Sequence, residues 1–158
     1  PVTAGRDLGW PYCDPDQDRG RPAGSLAALP LAANSATNPG GTRLNCAALA
    51  PVEVGLPAHS APLGLTFLEG SRIPAPWSAG ALVAVHGSWD RQPPRPPAVE
   101  WLAWNPAGHT LEPAVTLVGG FQNPDGSFWG RPVDAVPGPD GALYVSDDAA
   151  GAVYRLAP

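Results

Sequence analysis

The chain has 158 residues, of which 44% are hydrophobic and 15% charged, which is enough for one globular domain with a core of its own. Its net charge of -5 and its nine scattered basic residues, all arginine, exclude a nucleic-acid surface, which needs clustered cations. Proline (22) and glycine (19) separate short apolar runs, none of which approaches the roughly 20 residues that span a bilayer. We therefore expect a fold of many short strands and no membrane span.

Residues 1–50 show almost no hydrophobic periodicity, and we interpret them as a long loop inserted in the fold. Cys13 and Cys46 lie in this loop among Pro, Gly, Asp and Asn residues. A disulfide between them would stabilise the loop by about 3 to 4 kcal/mol, and its formation requires an oxidising compartment. The sequence thus predicts a disulfide and a periplasmic or secreted protein. Two unpaired buried thiols are the alternative, and the spacing disfavours a metal site, so no metal ligand is assigned.

From Pro51 onward the pattern changes to strands. Four runs rich in Val, Leu and aromatic residues are separated by clusters of Gly, Pro and Asn. The runs are residues 63–68 (LGLTFL), 81–86 (ALVAVH), 99–104 (VEWLAW) and 114–118 (AVTLV). They predict one four-stranded antiparallel sheet.

Residues 130–158 repeat the pattern with three runs, at 133–136, 142–145 and 152–156. Pro-Asp-Gly separates the first two, where proline presets φ and glycine accepts a positive φ, so a tight reversal is expected. Repeated sheets of three or four strands are typical of a β-propeller, and we predict an all-β β-propeller. A fourth strand is missing at the end, and we expect that Pro1 is not the native start. We therefore expect residues 51–158 to be the C-terminal blades of a ring completed by upstream residues.

Four segments together resemble the glucose/sorbosone dehydrogenase family: LGWPYCDPD, LPAHSAPLGLTF, ALVAVHGSWDR and GRPVDAVPGPDGALYVSDDAAGAVYRL. The similarity is strongest over residues 56–156, and the His-Gly-Ser-Trp and Gly-Arg-Pro-Val-Asp segments point to its sorbosone-dehydrogenase-like branch. The resemblance implies a six-bladed propeller that binds pyrroloquinoline quinone (PQQ) and calcium. It also implies that this chain covers roughly the last two blades, after the long loop, and that the protein oxidises a sugar by hydride transfer to the quinone.

The resemblance further implies a set of cofactor-binding residues. Arg131 falls on the first arginine of the family's Arg-x-Arg-Asp turn, where guanidinium groups meet the carboxylates of PQQ. Val133 occupies the position of the second arginine, so one positive charge of the usual pocket is absent. His86 stands where better-known relatives carry a lysine, and His59 and Asp148 fall on loops beside the cofactor.

Ordinary structural roles are the alternatives for these residues. Arg131 would then be a turn arginine paired with Asp134 or Asp148, and each histidine would bond backbone at the end of a strand. Trp89 and Trp129 are candidates for stacking on a sugar substrate, or otherwise pack within the sheets. The family's catalytic histidine and calcium-binding loop lie upstream of the matching part, so no catalytic base is assigned.

The sequence thus predicts the C-terminal part of a PQQ-dependent sugar dehydrogenase whose electron acceptor is unknown. Such a part by itself is expected to be inactive, because it supplies only some of the cofactor site. The first alternative is a propeller of the same family that binds carbohydrate or protein without catalysis. The second is a calcium-dependent lactonase-type propeller, which shares the pattern of blades.

Overall fold

The computed structural model describes residues 4–16 and 27–157, and the all-β prediction is confirmed there. The chain divides into two compact units, residues 1–55 and 56–158. In the part that the structure describes, the only helices are two three-residue 3-10 turns. None of these helices has the length and hydropathy that a bilayer crossing requires.

The first unit contains short strands where the sequence indicated a loop. The strand β1 (Cys13–Pro15) pairs with β3 (Leu31–Ala33), and β2 (Ala27–Leu29) pairs with β4 (Val52–Val54). Three of these strands, β1 to β3, lie within residues 1–50, where the sequence shows no periodicity because strands of three residues are too short to show alternation. The 3-10 turns are Pro39–Gly41 and Cys46–Ala48.

The predicted disulfide is present in the first unit. Cys13 and Cys46 are bonded with their Cα atoms 5.7 Å apart, and both side chains are buried beside Leu31. The fully buried Asn38 supports the same region, since its side chain donates to the Leu44 carbonyl and accepts from the Arg43 N–H, both at 2.8 Å. A disulfide and one polar side chain therefore supply rigidity that a core of this size could not.

The second unit contains the two predicted sheets. Their strands are β5 (Pro62–Phe67), β6 (Ala81–Val85), β7 (Ala98–Leu102), β10 (Val115–Val118), β11 (Pro132–Pro137), β12 (Leu143–Asp147) and β13 (Ala152–Leu156). The four-stranded antiparallel sheet has the order β10-β7-β6-β5, and the three-stranded antiparallel sheet has the order β11-β12-β13. Neither sheet closes on itself, so the propeller ring and its number of blades stay predictions.

A small hairpin interrupts the four-stranded sheet between its third and fourth strands. The strands β8 (Trp104–Asn105) and β9 (Thr110–Leu111) pair with each other. The third run of the sequence was expected to continue to Trp104, but β7 ends at Leu102. The carbonyl of Ala103 instead accepts the N–H of Glu112, which redirects the chain into the hairpin.

The two larger sheets pack face to face on an apolar core. The buried side chains are Leu82 and Val99 of the four-stranded sheet with Leu68, which directly follows β5, and Ala135, Leu143 and Val145 of the three-stranded sheet. The strand β11 packs against β5 and β6. Gly64 of β5 permits this approach, because a Cβ atom at that position would lie 2.1 Å from Asp134 Oδ1. The two sheets are thus held at a short distance from each other.

Four strand ends lie together along one edge of this pair of sheets, the edge at which the strands start or stop. The start of β5 pairs with the end of β6 through Pro62 and Val85. In the other sheet, the start of β11 pairs with the end of β12 through Pro132 and Asp147. Residues that flank these four ends are far apart in sequence and close in space. At the opposite edge, the Pro-Asp-Gly reversal is present as predicted, with Gly141 at a φ of 81°.

Candidate functional site

Three of the four residues assigned to the cofactor lie together at this edge: His86 after β6, Asp148 after β12 and Arg131 before β11. We call them the edge cluster. His86 Nε2 lies 2.8 Å from Asp148 Oδ1. The side chain of Arg131 reaches the backbone at His86. The convergence of these residues follows from the antiparallel pairing of the two sheets, which returns alternate strand ends to the same side.

The guanidinium of Arg131 joins one sheet to the other. Its Nε donates to the His86 carbonyl at 2.8 Å, and its Nη2 donates to the Gly87 carbonyl at 3.1 Å. Its Cζ lies 5.5 Å from the centroid of the Phe128 ring. Asp134 is therefore not its partner, and Nη1 has no hydrogen-bond partner among residues 4–16 and 27–157. The guanidinium is therefore held in place, and its Nη1 is left to donate to another group.

His86 and Asp148 form a hydrogen-bonded ion pair when the imidazole is protonated. The hydrogen bond from His86 is the largest cause of a lowered pKa at Asp148, and the charges of His86 and Arg131 act in the same direction against partial desolvation. An ionised carboxylate only accepts, so Nε2 carries the hydrogen in this pair and Nδ1 is the acceptor nitrogen of a neutral ring.

Asp147 is a member of this site that the sequence did not reveal. Its side chain is only 3% exposed, and it accepts hydrogen bonds from the backbone N–H groups of Arg131 and Ala150 and from the hydroxyl of Tyr154. Burial raises the pKa of this carboxyl, but hydrogen bonds, chiefly those from Ala150, Arg131 and Tyr154, outweigh burial, so that the pKa lies below its ordinary value. The position of Asp147, directly before Asp148 at the end of a strand, was the only signal available in the sequence.

His59 lies on the neighbouring loop, residues 57–61, and does not join the edge cluster through its side chain. The loop itself is attached to the cluster by backbone, since the Ala61 carbonyl accepts the N–H of His86 at 3.0 Å and the Ser60 carbonyl accepts that of Gly87 at 3.2 Å. Both His59 (φ 61°) and Ala61 (φ 48°) have left-handed backbone conformations, which are rare for such residues and concentrate at functional sites. The exposed imidazole of His59 faces solvent beside the cluster's loop.

Arg91 is a second contact that the sequence did not indicate. Its Nη1 donates to the Ala58 carbonyl at 3.1 Å and so ties the connection after β6 to the loop of His59. Residues 91–97 have a basic, proline-rich composition that does not by itself suggest this role.

The two candidate stacking residues differ in how firmly they are held. The indole of Trp129 donates to the Gly120 carbonyl at 2.7 Å and packs against Phe121 and Tyr154, with ring centroids 5.3 and 6.4 Å away. Trp89 is 84% exposed. Trp129, two residues before Arg131, is therefore a fixed aromatic wall. Trp89 projects from the segment that follows His86.

Val133 lies at an irregularity of β11. Pro132 pairs with Asp147 and Asp134 with Ser146, so Val133 is an extra residue opposite a single step of β12. A bulge of this kind bends a strand and re-aims its side chains, often beside active sites. Val133 thus occupies an irregular part of the strand.

A family model for TrAA12-like proteins matches residues 2–158. The chain belongs to the TrAA12-like family. The calcium structure of the Trichoderma reesei enzyme of carbohydrate-active enzyme family AA12 is similar to it, with a TM-score of 0.70, 25% identity, and coverage of 97% of this chain and 38% of that one. The holo form of the pyranose dehydrogenase PQQ domain from Coprinopsis cinerea has a TM-score of 0.51 and 26% identity, over 92% of this chain and 38% of that one.

Two curated relatives match part of the chain. The PQQ-dependent pyranose dehydrogenase of Coprinopsis cinerea is 32% identical over 118 residues, 64% of this chain and 15% of that protein. An uncharacterized protein of Borreliella burgdorferi is 36% identical over 101 residues, 64% of this chain and 27% of that protein. The chain thus spans about a quarter or less of the length of these relatives. The narrower assignment to glucose or sorbosone dehydrogenases stays a prediction.

Proposed function

We propose that the chain is the C-terminal part of an exported β-propeller dehydrogenase that oxidises a sugar with PQQ. Membership of the TrAA12-like family and the likeness to a PQQ-dependent pyranose dehydrogenase support the cofactor and the carbohydrate substrate. The observation that carries the proposal is the edge cluster, in which Arg131, His86 and Asp148 converge from two sheets. The disulfide between Cys13 and Cys46 supports export to the periplasm or beyond.

The residues of the edge cluster fit one carboxylate of PQQ. Arg131 is held by two carbonyls and has Nη1 left to bind an anion, without the entropy loss that a mobile arginine would undergo. Asp148 alone would repel an anionic cofactor, but its carboxylate is hydrogen-bonded to His86. The hydrogen bond from His86 thus reduces that repulsion.

These positions suggest a separate role for each residue of the site. PQQ, when bound, supplies a quinone that accepts the hydride of the sugar's C–H bond. Arg131 orients the anionic cofactor, and Trp129 offers a fixed aromatic face to the sugar ring. In this proposal, His59 lies at the rim of the site and Trp89 stacks on more distant sugar units. Residues upstream of this chain bind calcium and supply the catalytic base.

A carbohydrate-binding protein without PQQ is the second candidate, and Val133 favours it. The position of the second family arginine is apolar, and two of the three guanidinium nitrogens of Arg131 already bind carbonyls. Such a site has less positive charge for a tricarboxylate than the family pattern provides. The exposed Trp89 suits sugar binding in either case.

The test is a PQQ titration of the full-length protein and of two arginine variants. R131A should bind PQQ about tenfold to hundredfold more weakly, because a hydrogen bond to a charged group is lost. R155A is the matched control, since Arg155 binds Asp140 at 2.7 Å on the three-stranded sheet, and it should bind like the parent. If the parent does not bind PQQ, or if R131A binds it like the parent, the cofactor assignment is wrong. Carbohydrate binding by the same parent would then support the second candidate.

A further inference from the structure

The side chain of Asp147 bonds with both of its oxygens to neighbouring segments. Oδ1 accepts the backbone N–H groups of Arg131 and Ala150, each at 2.9 Å, and Oδ2 accepts the hydroxyl of Tyr154 at 3.0 Å. A carboxylate that is 3% exposed is costly in free energy unless donors replace the lost water, and here three donors do so. The arrangement therefore depends on all three segments being in place.

The two backbone groups that Asp147 binds belong to the segments that carry the edge cluster. The N–H of Arg131 fixes the residue whose guanidinium reaches the carbonyls of His86 and Gly87. The N–H of Ala150 closes the turn in which Asp148 lies beside His86. One carboxylate thus holds the arginine and the aspartate of the cluster at the same time.

Gly130 provides the space for this carboxylate. A Cβ atom at residue 130 would lie 2.4 Å from Asp147 Oδ2 and 2.8 Å from the ring of Phe121, so a larger residue would displace both the carboxylate and the ring. The third partner, Tyr154, packs its ring against Phe121 and Trp129 with centroids 6.0 and 6.4 Å away. The contacts of Asp147 therefore extend from the edge cluster to the aromatic wall.

We infer that Asp147 is the positioning residue of the site: its carboxylate holds Arg131 and the Asp148 turn in the arrangement that receives the anionic ligand. The identity of that ligand rests on the proposed function, whereas the positioning does not. The inference therefore has a readout in the unliganded protein, namely the exchange of the two backbone amides that Asp147 binds.

The experiment measures amide hydrogen exchange by NMR in the unliganded full chain. In D147A, the amides of Arg131 and Ala150 should exchange about tenfold faster or more, relative to amides of the β12–β13 ladder. D147N keeps an oxygen at Oδ1 and should leave both amides protected. If D147A does not fold, G130A tests the same point, because its methyl group displaces the carboxylate and should accelerate the same two amides.

The control for general destabilisation is L143A, which removes core volume at the far end of the same strand. It should accelerate exchange across the three-stranded sheet without singling out Arg131 and Ala150. Equal acceleration of these two amides in L143A and D147A would assign Asp147 a merely structural role. Unchanged exchange in both D147A and G130A would overturn the inference.

PQQ titration then separates this inference from the proposed function. If the parent binds PQQ, D147A should weaken binding about as much as R131A, and D147N should restore most of it. Parent-like PQQ affinity in D147A would overturn the positioning role toward the ligand. If the parent binds no PQQ but the two amides respond as expected, the proposed function is wrong and the positioning role of Asp147 stands.

Discussion

Asp140 is a surface carboxylate whose pKa is set by one partner. The guanidinium of Arg155 donates to its Oδ2 from Nη2 at 2.7 Å and from Nε at 3.0 Å, and this hydrogen bonding is the main cause of a pKa lowered from 3.8 to about 2. The Ala142 N–H and the Tyr144 hydroxyl act in the same direction. Because the pair is exposed, its effect on stability is small and decreases with salt.

The first prediction concerns the acid stability of this pair. A carboxyl whose pKa is depressed by folding stabilises the protein above its unfolded pKa, and this stabilisation disappears as pH falls from about 4 toward 2. D140N should therefore lose less stability than the parent over that range. Urea unfolding at pH 4 and pH 2.5 measures the difference. R155A should show the same flattening, and a steeper fall in either variant would contradict the assignment.

Single residues of the site were predictable only in part from the sequence. The predicted strand ends indicated that His86, Arg131 and Asp148 lie at one edge, because antiparallel pairing determines which strand ends meet. The role of Asp147 was not predictable, because adjacent residues at a strand end point in different directions. The hydrogen bonds from the backbone of Arg131 and from Tyr154 form only when the strands have assembled.

Among the strands, the close passage of β5 over β11 at Gly64 gives the second prediction. G64A adds a methyl group where Asp134 already lies, and overpacking of this kind destabilises a protein by about 1 to 3 kcal/mol. Urea unfolding of the full chain measures the loss. The control is G119A, whose new Cβ atom would meet only the methyl group of Thr116 at 3.2 Å. A G64A variant as stable as G119A would mean that the sheets are farther apart than described.

The third prediction concerns how much the disulfide stabilises the first unit. Reduction should lower the free energy of unfolding by about 3 to 4 kcal/mol, because the bond between Cys13 and Cys46 closes a long stretch with few apolar contacts. Thiol titration of the denatured, unreduced protein should find no free sulfhydryl. A C13S/C46S variant is the control, and reductant should not destabilise it further. Equal stability of the reduced and oxidised parent would contradict this role.

Strands were predictable where they are long and were missed where they are short. The seven strands of the two larger sheets have four to six residues, with the Val, Leu and aromatic content that favours strands. The pairs β1–β3, β2–β4 and β8–β9 consist of two or three residues per strand. Their pairing depends on contacts that arise only in the folded unit, such as the disulfide, and so leaves no period in the sequence.

The second unit as a whole exposes an apolar stripe on its edge strand β5. Leu63, Leu65 and Phe67 occupy alternate positions and therefore share a face, and they are 53%, 58% and 65% exposed. Exposed apolar side chains on an edge strand promote association between copies of a chain. The similar AA12 structure is longer, since the chain covers 38% of it.

The fourth prediction is that this chain, expressed by itself, associates through the stripe. The double variant L65T/F67T keeps β-forming residues and removes apolar surface, so it should be more monomeric at the same concentration without a loss in melting temperature. Analytical ultracentrifugation across a concentration series measures the association. V153T, an exposed apolar position on β13, is the control and should associate like the parent. A parent that stays monomeric at high concentration would exclude this surface as the cause.

The link from Arg131 to the carbonyls of His86 and Gly87 has a consequence for how this site could change during evolution or engineering. These hydrogen bonds connect two sheets that share no strand-to-strand hydrogen bonds. The spacing of the two sheets therefore sets the distances within the edge cluster. That spacing is set in turn by the volumes of core side chains such as Leu82 and Ala135. If the proposed function holds, substitutions in the core would therefore change ligand preference while every residue of the edge cluster stays the same.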